Sequence, residues 1–309
     1  MKHLLSVADI EQADFFELID RSCQLVSRIP EKTLEGKCVG IEFRKTSTRT
    51  RTSFSVAAVR LGAYPMIYGP SDLQTNTGES IEDTTRVLGG YLDALVIRTA
   101  AAHSELVRMA ELERMPIVNA MTAEEHPTQA ISDFAFLKRE FGRFEGLKVV
   151  YMGEGNNTAV ALAYAASRIE GLSAEFYCPA GFGLSSGVLK LVGELSRKYG
   201  GDVRVFDKPF SYESSARVPD VLYTTRWQTT GTSKADAAWR EKFEPFRITE
   251  SLVEKISHKH GVRFMHDLPA VRGEECETTV LEGDHSRAFQ QAEQKLFTAM
   301  AVFEWCIRH

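Results

Sequence analysis

The chain has 309 residues, 43% of them hydrophobic and 26% charged, enough to fill two domains with separate cores. Its formal charge of −5 argues against a general nucleic-acid binder, which needs a basic face for phosphates, and no apolar run approaches the roughly 20 residues of a membrane helix. The 5 cysteines are odd in number, scattered and free of any Cys-x-x-Cys pair, which predicts reduced thiols and a cytoplasmic protein rather than a disulfide framework.

Hydrophobic periodicity predicts a helix over 10–27, a strand over 39–43, a helix over 51–61 and a strand over 66–68. A helix over 80–91, a strand over 94–98, a helix over 104–112 and a strand over 117–119 follow. A helix over 128–141 then ends at Gly142. The second half places strands at 147–152, 174–178, 202–206, 221–224 and 263–267, and a last helix at 287–306. Alternation without repeats or low-complexity tracts predicts an α/β protein of two doubly wound parallel-sheet domains joined by interdomain helices. The divisions fall at 1–141, 142–286 and 287–309.

The strand at 39–43 runs into a helix through Ser47, Thr48, Arg49 and Thr50. Such a junction suits an anion: the first helical turn leaves N–H groups unpaired and carries the positive end of the macrodipole. The plainer alternative is a solvated basic turn, since Arg44, Lys45, Arg49 and Arg51 crowd eight residues. Other polar candidates also follow predicted strand ends, where open parallel sheets bind ligands. They are Arg98, His126, Asn156 and Asn157, Arg226, and Asp267. For Arg98 and His126 the alternatives are a surface arginine and a satisfied structural histidine. Gly153-x-Gly155 is dinucleotide-like, but Thr158 stands at the third glycine position and 175–178 offers no clear ribose-binding acid. His258, His260 and His266 mix a Lys-rich helix end with a buried strand and make a poor metal site.

Ser47-Thr48-Arg49-Thr50-Arg51 is followed by His126-Pro127-Thr128-Gln129, and between them stand Glu79 to Thr84, Arg86 to Leu88 and Asp93 to Arg98. In these ordered elements the chain resembles the aspartate/ornithine carbamoyltransferase family over nearly its whole length. The resemblance implies that 1–141 binds carbamoyl phosphate, that 142–286 binds the acceptor, and that 287–309 returns to the first domain. It implies contacts to carbamoyl phosphate from Ser47, Thr48, Arg49, Thr50, Arg98, His126, Gln129, Gln74, Leu268 and Lys295. Arg98, His126 and Thr50 would stabilise the oxyanion, and Asp267 would pair with the acceptor amine or take its proton. No cofactor or metal is needed.

The resemblance places Asn157, Arg226, Gln228 and Asp267 around the acceptor, in a mixture that neither subtype matches. Arg226 and Gln228 look aspartate-like, with the arginine on a carboxylate; Gly153 to Asn157 looks ornithine-like. Thr225 stands at the ornithine-type aspartate position, with Thr229-Thr230 for Ser-Met before Gly231, and Asp267 replaces both a cysteine and a proline. Glu293-Gln294-Lys295 replaces Glu-Asn-Arg, and Thr77 stands for the aspartate-type lysine. The expected acceptor is a small amino acid with a second amine, ornithine or another diamino acid. For Asp267, capping of the turn before Pro269 is the competing role. A homotrimer with shared active sites, reached by the loop around Gln74, is also implied. A catalytically silent amino-acid-binding paralogue and an NAD-dependent oxidoreductase are the alternatives.

Overall fold

The computed structural model describes residues 1–28, 31–213, 215, 217–229, 233–257 and 261–307. The chain divides into two compact units, Met1–Arg139 with Glu293–His309, and Glu140–Ala292.

The first unit contains α1 (Gln12–Val26), β1 (Cys38–Phe43), α2 (Arg49–Arg60), β2 (Tyr64–Tyr68), α3 (Ile81–Leu88), β3 (Ala94–Arg98), α4 (His103–Ala110), β4 (Ile117–Met121) and most of α5 (Pro127–Phe141). Its four strands are parallel in the order β2-β1-β3-β4. β3 and β4 are buried almost throughout, so β3 reads as an apolar run up to Arg98 and β4 as one broken only by Asn119, as buried parallel strands do. Gly40 in β1 has a packing reason: a Cβ there would lie 2.6 Å from Leu95 Cδ1 and 2.7 Å from Leu92 Cδ1. α3 is started by Ser80, whose hydroxyl accepts from Asp83 N–H at 3.1 Å, and it stops at Leu88 because Gly89-Gly90 makes the following turn. The predicted helix over 80–91 is therefore one turn too long.

The second unit contains β5 (Lys148–Met152), α6 (Asn157–Ser167), β6 (Ser173–Tyr177), α7 (Ser186–Tyr199), β7 (Asp202–Phe206), β8 (Val221–Thr224), α8 (Trp239–Phe243), α9 (Glu250–Ser257), β9 (Arg263–His266) and α10 (Thr278–Glu282). Its five parallel strands run β7-β6-β5-β8-β9. Every residue of α6 is buried, so it presents no polar stripe and no helical period, which is why periodicity does not outline it. The core gathers Val150, Met152, Leu222, Phe246, Val262 and Phe264.

α11 (Ala288–Ile307) begins in the second unit and ends in the first. Gln291 holds its start there, accepting His266 N–H at 2.8 Å and donating to Tyr223 Oη at 3.2 Å. One turn later Gln294 belongs to the first unit, donating to Ser22 Oγ at 2.7 Å and accepting from Arg139 at 2.6 Å. Among the described residues no helix is long and apolar enough to cross a membrane.

The strand orders decide where ligands can go. In the first unit the chain lays β2 on one side of β1 and β3 on the other. In the second it lays β6 on one side of β5 and β8 on the other. The crevice at each reversal, past the carboxyl ends of β1 and β3 or of β5 and β8, is the default binding position in an open parallel sheet.

Candidate active site

The helix of the anion loop begins earlier than its sequence suggests, at Arg49 instead of 51. Arg49 and Thr50 therefore lie inside the first turn, where the macrodipole is strongest. Thr48 precedes them without a side-chain capping bond. Thr50 is buried, Ser47 and Arg49 are half-buried, and Thr48 is exposed. Of the four crowded cations, Arg44 is already spent: its guanidinium donates to buried Glu42 at 2.5 Å and also to Glu105. Lys45 and Arg51 are exposed, which leaves Arg49 as the half-buried cation of the loop proper.

Arg98 ends β3 beside β1, so it shares the reversal crevice with that loop. Its register opposite β4 skips a residue, Ile97 facing Asn119 and Arg98 facing Met121. The irregularity is built: Met121 has a φ of 148°, its N–H is held by Asn119 Oδ1 at 2.9 Å, and Asn119 Nδ2 is anchored on Leu5 O at 2.8 Å. Such backbone costs about 1–3 kcal/mol and persists where surroundings enforce it.

β4 then delivers His126 directly ahead of Pro127, the first residue of α5, a position proline favours. The His126 carbonyl accepts from Gln129 N–H at 3.0 Å, and the ring is only 4% exposed. Burial first, then the charges of Lys295, Arg98 and Arg49, push its pKa well below the ordinary 6.5. Near neutral pH His126 is an uncharged imidazole that can give one N–H. The same causes show that the fold brings those three cations around it. Lys295, buried although it arrives from the far end of the chain, donates to Gln129 Oε1, and Gln129 Nε2 donates to Asp133 Oδ1 at 2.8 Å. Gln74 is different: it stands on the exposed turn Gln74–Thr77, where Thr77 Oγ1 donates to its side chain at 2.7 Å.

Sequence reading passed over Glu125, next to His126. Its carboxyl is buried, accepts Val7 N–H at 2.8 Å, and is pushed up to about 7 mainly by burial, against hydrogen bonds from Ser6 and Val7. An acid whose pKa is raised on folding contributes stability fully present below its unfolded value of 4.5 and lost as pH climbs through about 7. Glu125→Gln, which keeps the acceptor for Val7, is therefore expected to flatten the fall in melting temperature between pH 5 and pH 8. Melting curves of both proteins across that range check it, and parallel curves would reject it.

In the second unit the candidates stand past β5, β8 and β9. Gly155 is required by close packing, since a Cβ would lie 2.4 Å from the Gly183 carbonyl carbon. Asn156 caps α6, its Oδ1 accepting Thr158 N–H at 3.1 Å and Ala159 N–H at 3.2 Å. A pyrophosphate would find the space beside Gly155 filled and those donors taken, which counts against the dinucleotide reading. Asn157, the first residue of α6, is buried.

Asp267 follows β9 and accepts from Thr158 Oγ1 at 2.8 Å. It does not cap the turn before Pro269; His266 does. His266 Nδ1 accepts Leu268 N–H at 2.8 Å, so its proton is assigned to Nε2, which donates to Glu275 Oε1 at 3.0 Å. Glu275 Oε1 also accepts Val271 N–H at 2.6 Å. This network holds Leu268 in the left-handed region, at a φ of 55°. With no proton on Nδ1, the 3.5 Å approach of His266 to Asp267 is not an ion pair. His266, Glu275 and Cys276 are a buried trio with ligand-type atoms within 4.8 Å. Burial lifts the Cys276 thiol to about 12, and His266 and Glu275 are hydrogen-bonded to each other. His258, His260, Thr230 and Gly231 lie outside the described residues.

Arg226, past β8, is half-buried, and its buried Nε has no hydrogen-bond partner among the described residues. No salt bridge involves it there either. Trp227 is fully buried beside it, its Nε1 equally without a partner. Gln228 is half-buried in the same segment.

The comparisons with known proteins agree along both units. The carbamoyl-P binding domain model of the aspartate/ornithine carbamoyltransferases matches residues 2–139, and their Asp/Orn binding domain model matches 145–306. The ornithine carbamoyltransferase of Methanothermobacter thermautotrophicus is 36% identical over 306 residues, 99% of this chain and 98% of the relative. That of Caldicellulosiruptor saccharolyticus is 35% identical over 98% of this chain and 97% of its own length. The solved ornithine carbamoyltransferase of Pyrococcus furiosus superposes with a TM-score of 0.90 at 32% identity, covering 99% of this chain and 97% of that one.

Proposed function

From a chain that belongs to the aspartate/ornithine carbamoyltransferase family, and is thereby a carbamoyltransferase, we infer an acceptor that is a small amino acid with a second amine, ornithine or another diamino acid. The observation that carries this reading is the charge inventory past β5, β8 and β9. Glu154 is paired with Lys234, which leaves one carboxylate, Asp267, and one guanidinium without an acidic partner among the described residues, Arg226. A half-buried cation without a counterion is costly until a ligand supplies one. An amino acid's carboxylate satisfies Arg226, and its ammonium suits Asp267. Asn157 and Gln228 offer amides to the same ligand.

An ammonium has no lone pair, and an amine with a reference pKa of ~10.4 is mostly protonated near neutral pH. Asp267 takes that proton or passes it to solvent. The neutral nitrogen then attacks the carbonyl carbon of carbamoyl phosphate, the carbon–nitrogen bond forms, and as the bond to the phosphate oxygen breaks the nitrogen's second proton passes to the departing phosphate. In the tetrahedral intermediate the negative charge on the carbonyl oxygen is met by Arg98, His126 and Thr50. A neutral His126 suits this role, since it donates without needing a proton from solution. Ser47, Thr48, Arg49 and the start of α2 hold the departing phosphate. Gln129, oriented by Lys295 and Asp133, holds the carbamoyl group, and Gln74 and Leu268 complete the contacts. In the same reading the protein is a homotrimer. Exposed Tyr64, Met66 and Ile67 on the edge strand β2 support it, since an apolar exposed edge calls for cover.

Phosphate release from carbamoyl phosphate, measured with ornithine, 2,3-diaminopropionate, 2,4-diaminobutyrate, lysine, putrescine and aspartate, tests the whole. A diamino acid is expected to turn over, with putrescine poor because it brings no carboxylate to Arg226. Putrescine as fast as the best diamino acid would reject the role of Arg226. No release with any amine, while carbamoyl phosphate still binds, would favour the silent paralogue.

A further inference from the structure

Lys234 has a buried side chain to which the proposed chemistry gives no contact with substrate. Its side chain is 7% exposed. Its Nζ lies 5.3, 5.1 and 5.4 Å from the ring centres of Phe182, Trp239 and Phe243. Its ammonium donates to Glu154 Oε1, and the other carboxylate oxygen, Oε2, accepts from Thr229 Oγ1 at 3.4 Å. Glu154 is itself fixed, because Tyr151 Oη donates to its carbonyl at 2.5 Å.

These contacts join two segments that carry acceptor candidates. Glu154 belongs to the loop 153–156, which leads into Asn157. Thr229 and Lys234 flank the stretch after Arg226 and Gln228. Trp227, adjacent to Arg226, packs in one buried cluster with Trp239 and Phe243, and Phe182 lies against it. A position in that aromatic cage is therefore tied to the backbone that aims Arg226. An apolar side chain would fill the cage at least as well, and buried ion pairs are commonly no better than well-packed apolar replacements. What an apolar residue could not do is hold Glu154.

We propose that Glu154 and Lys234 form a latch that positions the Arg226–Thr229 segment against the Asn157 loop, and so sets affinity for the acceptor. The proposal rests on the acceptor role given to Arg226 above. Both are positioning residues, and neither is assigned a contact with substrate.

The tests are Lys234→Met, which keeps the cage filled, Glu154→Gln, which keeps size, and the double variant. A pair intermediate between exposed and fully buried is worth about one factor of ten. Each single variant is expected to raise the acceptor KM about tenfold, with kcat and the KM for carbamoyl phosphate within about twofold of the parent. The double variant is expected to be no worse than either single one, as for a coupled pair. An unchanged acceptor KM in Lys234→Met, additive losses, or a parallel loss of carbamoyl phosphate affinity would overturn the latch. If Lys234→Met does not fold, Glu154→Gln decides. If the parent turns over no acceptor, the proposed function fails separately. The latch is then read by hydrogen exchange of residues 225–229, which Lys234→Met should accelerate if the latch is real and leave unchanged if it is not.

Discussion

Arg98→Ala is expected to lower kcat by on the order of 10²- to 10³-fold, the loss typical of removing one donor aimed at a developing oxyanion. The expectation follows from where Arg98 stands. It ends the strand beside β1 at the reversal of the first sheet, and the bulge opposite Met121 sets its backbone. Its charge reaches buried His126. His126 is neutral and supplies a hydrogen bond without charge, so Arg98 supplies the positive charge that meets the oxyanion. Loss confined to kcat, with carbamoyl phosphate still raising the melting temperature, is the expected pattern, measured by steady-state kinetics and thermal shift. Activity within tenfold of the parent would return Arg98 to the status of a strand-end surface arginine. The same variant tests shared sites: mixed with Gln74→Ala chains it should partly recover activity if Gln74 serves a neighbouring subunit. No recovery would count against the trimer with shared sites.

Arg226→Met should instead act on the acceptor. Truncating one partner of a desolvated charge pair costs about 2–5 kcal/mol, and each 1.4 kcal/mol is tenfold, so the acceptor KM should rise by about thirtyfold or more. The KM for carbamoyl phosphate should hold. Stability supplies a second readout. In the unliganded protein Arg226 has a buried Nε with nothing to bond among the described residues, so replacing it with an apolar side chain should leave the melting temperature level or higher. A fall in melting temperature with an unchanged acceptor KM would mark Arg226 as structural and remove the carboxylate receptor from the reading. The two variants therefore report on separate halves of the reaction, Arg98 on the donor and Arg226 on the acceptor.

Much of the fold was legible in the chain because buried parallel strands are apolar on both faces. The buried strands at 94–98 and 221–224 match their predicted bounds to the residue, and so does the half-exposed edge strand at 202–206. α6 escaped a predicted range for the opposite reason, being buried all round. Local signals also misjudged ends where a turn decided them: α3 stops at its glycines, and α2 starts two residues early. In the site, residue type and position past strand ends pointed to Arg98, His126, Asn157, Arg226 and Asp267. Residue type could not say which charges were still available. Arg44 looks like any cation of the loop in a sequence, yet buried Glu42 and half-buried Glu105 claim it. Glu125 and Lys234 carry no motif at all, and their meaning comes from burial and from partners far along the chain.

The sequence by itself determined the alternation of strands and helices, the anion loop and the polar residues at strand ends, because period, turn chemistry and spacing act over short distances along the chain. Only the tertiary structure decided the state of each charge. Pairing and desolvation depend on groups brought together from distant segments, as Lys295 is to Gln129, Lys234 to Glu154 and Thr158 to Asp267. Whether a cation is spent or open to a ligand is a property of that neighbourhood.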